Sequence, residues 1–177
     1  MQGETAIRDT GPADAVTLAA LYQAAFPSED LWPLVRALLQ DNVAHSSLAA
    51  CRDGCLVGHV AFTICGIEGD HGPVALLGPL AVAPALQRRG IGRALVQAGL
   101  PRLAGAGCAR VCVLGDPAYY GRLGFAAEQD ILPPYPLPAT WDGAWQSRVT
   151  ATASALLLCR GRLLVPAPWR QPALWAP

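Results

Sequence analysis

Residues 76–96 constrain this chain more than any other stretch. Leu76-Leu77-Gly78-Pro79-Leu80-Ala81-Val82-Ala83-Pro84 reads as an apolar strand halted by a proline. Gln87-Arg88-Arg89-Gly90-Ile91-Gly92-Arg93-Ala94-Leu95-Val96 follows at once as an arginine-bearing loop that opens a helix on two glycines. N–H groups in such a loop and at a helix N-terminus lack partners, and the helix dipole adds partial positive charge. Arg88, Arg89 and Arg93 add formal charge beside them. The result is a seat for a pyrophosphate at the end of a strand. A dinucleotide fingerprint needs G-x-G-x-x-G or A tight against its strand. Gly90 and Gly92 supply two of its glycines, but Leu95 occupies the third place and the loop after Pro84 is too long. A P-loop ends in Gly-Lys-Ser/Thr, and this chain contains no lysine.

A second passage supports the first. Val111-Cys112-Val113-Leu114-Gly115-Asp116 reads as the next parallel strand, and Pro117-Ala118-Tyr119-Tyr120-Gly121-Arg122-Leu123-Gly124-Phe125 as a short helix with proline at its start and Gly124 as its stop. The strand L-x-V-x-P, the loop Q-x-x-G-x-G and the later Y-x-x-x-G-F together resemble the GNAT superfamily of acyl-CoA N-acyltransferases. The resemblance runs in order over residues 5 to 130 and is carried by 76 to 126. The phrase Gly115-Asp116-Pro117-Ala118-Tyr119-Tyr120 is similar to a bacterial branch of predicted N-acetyltransferases.

Composition bounds the class. Hydrophobic residues make up 53% and charged residues 15%, which argues against disorder. Thirteen arginines balance thirteen acids, so no basic excess points to nucleic acid and no polybasic tail points to a membrane. The arginines at the glycine loop are therefore a local feature. The start of the chain has no basic or hydrophobic leader and no run long enough to cross a bilayer, which makes the cytoplasm the default location. The six cysteines are then expected as thiols. Cys51 and Cys55 flank a turn and Cys108 and Cys112 straddle a strand start, without metal-ligand spacing or a histidine cluster, so no metal is expected.

The coarse order is β-α-α-β-β-β-α-β-α-β within a single domain, 1–177. Residues 4–9 form a first strand. Asp14 caps a helix to about Phe26, Pro27 breaks it, and a second helix covers Leu31 to Leu39. Asp53-Gly54 turns a hairpin between Ser47–Arg52 and Cys55–Ile67. The helix from Ile91 carries Ala94, Leu95, Ala98 and Leu103 on one face, and Pro101 is expected to end or bend it early. The strands flanking this helix must be parallel and the earlier ones antiparallel. The fold class is α/β, a mixed sheet with helices on both faces. Beyond residue 130, Pro133, Pro134, Pro136 and Pro138 exclude a central strand. Trp145 to Thr150 reads as the last strand, Ala151 to Cys159 is ambiguous, and the tail with Trp169 and Trp175 is expected to pack over the surface.

The resemblance implies roles. The two parallel strands diverge beyond Val82 and Leu114, and Leu80, Ala81 and Val82 hold the pantetheine arm of acetyl-CoA by their backbones, with the Val82 N–H polarising the thioester carbonyl. Gln87, Arg88, Arg89, Gly90, Ile91, Gly92 and Arg93 hold the diphosphate of coenzyme A. Tyr120 is the candidate general acid for the departing thiolate. Tyr119 packs or touches the cofactor, and Asp116 either touches the ligand or caps the short helix. The base is not evident: Glu29, His59, Glu68 and Asp70 are the candidates. A Cys65 or Cys112 nucleophile would need a lowered pKa. The expected activity is acetyl transfer to a primary amine on a small molecule or peptide. An acyl-CoA sensor without catalysis is the alternative, and an NAD-dependent oxidoreductase is a weaker one. The C-terminal tryptophans could either shape a pocket or cover the interface of a homodimer.

Overall fold

A computed structural model describes residues 4–40, 43–69, 72–150 and 159–176. The chain divides into two compact units, Met1–Thr63 with Leu77–Arg102, and Ile64–Leu76 with Leu103–Pro177. Two long strands, β3 (Cys55–Ile67) and β4 (Val74–Val82), run through both.

In the first unit, β1 (Thr5–Asp9) pairs antiparallel with β2 (Ala44–Arg52), from Thr5↔Arg52 to Asp9↔Leu48, and β2 pairs antiparallel with β3. The hairpin turns on Asp53 at φ +50 and Gly54 at φ +78. Both central residues are left-handed, which is the turn that matches the twist of a two-residue hairpin. Three helices follow from this unit: α1 (Ala15–Ala25), α2 (Trp32–Gln40) and the start of α3 (Ile91–Gly105). Leu18, Leu21 and Tyr22 of α1 pack with Val35 of α2 and Ala81 of β4. Tyr22 reaches His59 of β3, whereas α3 lies on Gly58 and Phe62. Successive strand residues point to opposite faces, so α1 and α3 cover opposite faces of β3, as the fold class requires.

Several details differ from the sequence reading. Asp14 stands at the N-cap position of α1 but makes no capping bond to it. Its carboxylate instead accepts from Gly11 N at 2.8 Å and pairs with Arg8 at 2.7 Å, which closes a turn before the helix. The buried face of α3 runs through Ile91, Leu95, Val96 and Leu103, with Ala94 and Ala98 only half-buried. Pro101 lies inside α3, which continues to Gly105.

In the second unit, β4 pairs parallel with β5 (Arg110–Leu114) at Ala75↔Val111 and Leu76↔Cys112. On its other edge β5 pairs antiparallel with β8 (Trp145–Val149), which also takes β6 (Ala126–Ala127). Trp145–Val149 is not the last strand: β9 (Gly161–Leu164) pairs antiparallel with the end of β3 and parallel with β7 (Ile131–Leu132). Residues 151–158, the ambiguous apolar run, lie outside the described residues. The C-terminal tryptophans are not surface cover. Trp175 is 2% exposed and its ring meets those of Trp145, Trp169 and Tyr135. Both buried indoles have acceptors, Trp145 Nε1 on Ile131 O at 2.7 Å and Trp175 Nε1 on Trp169 O at 3.1 Å. This satisfies the polar edge of each ring and lets the apolar body enter a core.

Candidate functional site

The end of β4 and the start of α3 are built as one piece. Ala83 N donates to Val57 O of β3 at 2.8 Å. Amides alternate sides along a strand, so the Val82 N–H and C=O face the other edge of β4. There the register with β5 stops at Leu76↔Cys112 among the described residues, although β4 continues to Val82. Gln87 Nε2 donates to Val82 O at 3.2 Å and ties the loop back to the strand. The missing side chain at Gly58 lets the first turn of α3 approach: a Cβ there would stand 3.0 Å from Ile91 Cγ2 and 3.1 Å from Leu95 Cδ1.

The loop itself is a donor array. Ala94 N makes the first helical bond, to Gly90 O at 2.9 Å. Among the described residues no acceptor takes the backbone N–H groups of residues 88 through 93. Arg88 adopts φ +61 and Gly90 φ +83, and this pair of left-handed residues curls the loop. Gln87, Arg88, Arg89, Gly90 and Arg93 are exposed, while Ile91 and Gly92 are buried beneath them. Arg88, Arg89 and Arg93 enter no ion pair among the described residues, whereas Arg8, Arg102, Arg110 and Arg160 each sit on an acid. Consecutive free N–H groups at a helix start, with unpaired guanidinium groups around them, suit a diphosphate.

In the second unit, β5 leads through Gly115 into α4 (Pro117–Tyr120). Asp116 caps this helix, its Oδ1 accepting from Ala118 N at 2.9 Å, so its hydrogen bond supports the capping alternative. Tyr120 is buried, edge-on to Phe125 at 5.5 Å and to Tyr119 at 4.9 Å, and Tyr119 is exposed. Burial, reinforced by Tyr119, pushes the Tyr120 phenol up. A phenol is already protonated at neutral pH at its ordinary pKa, so this shift does not create the proton-donor state.

The other candidates separate cleanly. His59 is fully buried with both ring nitrogens engaged, Nδ1 with Tyr22 Oη at 2.7 Å and Nε2 with Ser47 Oγ at 2.8 Å. Tyr22 Oη also donates to Pro79 O at 3.1 Å, and Ser47 Oγ meets Thr10 Oγ1 at 2.6 Å. One arrangement of protons satisfies the chain: His59 Nδ1–H donates to Tyr22, and Nε2 accepts from Ser47. Burial lowers His59 to about 4, against a raising influence of Asp14. A ring with no free lone pair and a depressed pKa is not the base. Glu29 and Glu68 are exposed on turns, and Asp70 lies outside the described residues. Burial pushes Cys65 up to about 12 and Cys112 well above its ordinary value, so neither is an activated thiolate. Among the described residues no group of three or more His, Cys, Asp or Glu is placed to hold a metal ion. No helix among them is long and apolar enough to cross a membrane.

Sequence reasoning missed Tyr22, Ser47 and Thr10 as the partners of His59. It also missed Gln146, whose amide is buried at 2% exposure and donates to Gly115 O at 3.0 Å. Spacing could not reveal them, because each bond joins distant parts of the chain.

The sequence pattern of the acetyltransferase (GNAT) family matches residues 15–125, a span that contains the donor loop and Tyr120. The chain belongs to the GNAT family. It is 35% identical over 156 residues to the uncharacterized N-acetyltransferase YjhQ of Escherichia coli K12, covering 84% of this chain and 86% of that protein. A crystal structure of the GNAT N-acetyltransferase YhbS of Escherichia coli in complex with CoA superposes with a TM-score of 0.85 at 31% identity, covering 97% of this chain and 94% of the other. A GNAT acetyltransferase of Brucella melitensis in complex with acetyl-CoA gives a TM-score of 0.75 at 30% identity over 94% of this chain and 99% of the other. GNAT membership accounts for a mixed sheet in which the parallel contact of β4 with β5 stops short of the end of β4 among the described residues.

Proposed function

We propose that this GNAT enzyme transfers an acetyl group from acetyl-CoA to a primary amine by direct attack. The observation that carries the proposal is that, among the described residues, the N–H groups of residues 88 through 93 have no acceptor and Arg88, Arg89 and Arg93 beside them have no ion pair. In this reading those groups hold the diphosphate, and the edge of β4 at Leu80 to Val82, which β5 does not pair among the described residues, takes the pantetheine amides. The donor supplies an acetyl carbon activated as a thioester. The Val82 N–H stabilises the negative charge that develops on the thioester oxygen. The amine nitrogen bonds to the acetyl carbon, and the C–S bond breaks with its electron pair on sulfur. Tyr120 gives its proton to that sulfur, and the proton of the amine leaves to water. The high thiol pKa values of Cys65 and Cys112 favour this direct route over an acyl-enzyme.

The test is thiol release from acetyl-CoA with spermidine, glucosamine, kanamycin and a peptide with a free amino terminus, together with a binding titration. Tyr120→Phe is expected to lower kcat about 100-fold, the low end for a general acid, while acetyl-CoA affinity stays unchanged. Undiminished kcat would remove Tyr120 from the mechanism, and absence of acetyl-CoA binding would overturn the reading as a whole.

A further inference from the structure

Gly115 is a glycine for reasons of space. Its backbone lies outside the positive-φ region, so conformation alone would admit any residue. A Cβ at this position would stand 2.3 Å from Tyr120 Cε2 and 2.9 Å from Tyr120 Cδ2. No real Cβ tolerates such distances, so either the ring or the strand end must move. The strand end is held through both of its backbone polar groups, on the edge that faces β8. Gly115 N donates to Ala144 O at 2.9 Å, and Gly115 O accepts from the buried Gln146 amide at 3.0 Å. Gln146 is itself held in β8, in register with Val113 of β5. The ring is fixed on its other sides by Phe125 and Tyr119. The floor beneath Tyr120 is therefore backbone, clamped from below by one side-chain amide.

We propose that Gly115 and Gln146 are positioning residues for Tyr120: the bare Cα of Gly115 receives the ring, and Gln146 holds that Cα at the height that sets the phenol oxygen. This rests on the reading of Tyr120 as the proton donor. Neither residue touches the reacting atoms, and both act through the place of one hydroxyl. A displacement of about 1 Å in a reacting group can cost about 100-fold in rate. The Cβ of alanine would impose a shift of that size.

The test is a double-mutant cycle with acetyl-CoA and the same amines, following kcat, acetyl-CoA affinity and Tm. Gly115→Ala is expected to lower kcat about 100-fold with acetyl-CoA affinity unchanged. In the Tyr120→Phe background, Gly115→Ala is expected to lower Tm by the same amount yet to cost nothing further in kcat, because no hydroxyl is left to misplace. Should Gly115→Ala fail to fold, Gln146→Met removes the clamp at similar volume and is expected to show the same silence in the Tyr120→Phe background. Wild-type kcat in a folded Gly115→Ala, with Tyr120→Phe impaired, would overturn the positioning role alone. Multiplicative loss in the double variant would do the same. Wild-type kcat in Tyr120→Phe would overturn the acid reading and this proposal together.

Discussion

At the scale of single residues, His59 shows how burial decides between two roles for one side chain. An imidazole on a strand beside the donor loop invites assignment as a base. Here both nitrogens are spent on hydroxyls and the ring carries no exposure, so its ionisation acts on stability instead. His59 is lowered to about 4 by desolvation, while an unfolded histidine titrates near 6.5. Between these values the unfolded chain binds the extra proton and the folded chain does not. The stabilisation is thus complete above pH 6.5 and is lost progressively as pH falls towards 4, by about 3 kcal/mol in all. Asp14, held down to about 2 first by its hydrogen bond to Arg8, loses its own contribution only at lower pH. Denaturant melts between pH 4 and 7 should show stability rising with pH, and His59→Gln should flatten that slope. An identical slope in the variant would refute the assignment. The donor loop was legible because its chemistry is contiguous in sequence. The Tyr22–His59–Ser47–Thr10 chain was not, because its members come from α1, β3, β2 and the turn after β1.

At the scale of elements, local signals decided what could be foreseen. The Asp53-Gly54 hairpin was legible since two adjacent residues set the turn, and the onset of α3 followed from Gly90 and Gly92. The end of α3 lies beyond Pro101 because proline is only one contribution among several. A proline inside a helix loses one bond and crowds the preceding turn. Here burial of Leu103 offsets that loss, and the stop lies further on, where Gly107 at φ +80 closes a glycine cap. Cys108 N returns to Leu103 O at 3.0 Å and Gly107 N to Ala104 O at 3.0 Å. The approach of α3 to β3 depends on another glycine. A Cβ at Gly99 would stand 2.2 Å from Phe62 Cε2, and Phe62 is fully buried. Gly99→Ala should therefore destabilise by about 1–3 kcal/mol through overpacking, despite alanine's better helix propensity. Phe62→Leu in the same chain should recover part of the loss. Urea melts of the single and double variants measure both effects, and a Gly99→Ala protein as stable as the parent would show that α3 can shift at no cost.

For the whole molecule, the balance of charge conceals an uneven distribution. Formal net charge is zero, yet among the described residues acids pair with Arg8, Arg102, Arg110 and Arg160 and with none of the cluster Arg88, Arg89 and Arg93. In the second unit Glu128 illustrates the neutralised kind. Burial would raise its pKa, but hydrogen bonds from Ser147, from the Ile131 and Asp130 N–H groups and from Arg110 outweigh burial and hold it below its usual range. The tryptophan core was illegible for a related reason: Trp145, Trp169, Trp175 and Tyr135 meet only after the chain returns, and proline-rich sequence gives no period to follow. Unpaired guanidinium groups contribute little to folding, so their value must be read in binding. A ligand at 100 times its Kd stabilises by about 2.7 kcal/mol, and for a chain of this size that shifts Tm by roughly 5–10 °C. Acetyl-CoA should produce such a shift in the parent protein. Replacing Arg88, Arg89 and Arg93 together by alanine should leave the ligand-free Tm within about 1 °C, since exposed unpaired charges contribute little to stability, and should abolish most of the ligand-induced shift. Screening supplies an independent check. The Debye length falls from about 10 Å at 0.1 M salt to about 3 Å at 1 M, so acetyl-CoA affinity should fall with salt in the parent and much less in the triple variant. Arg36→Ala, at an exposed arginine of α2, serves as the control and should retain both the shift and the salt dependence. Equal salt dependence in parent and triple variant would mean that the anion is held elsewhere, and the loop would lose its assignment.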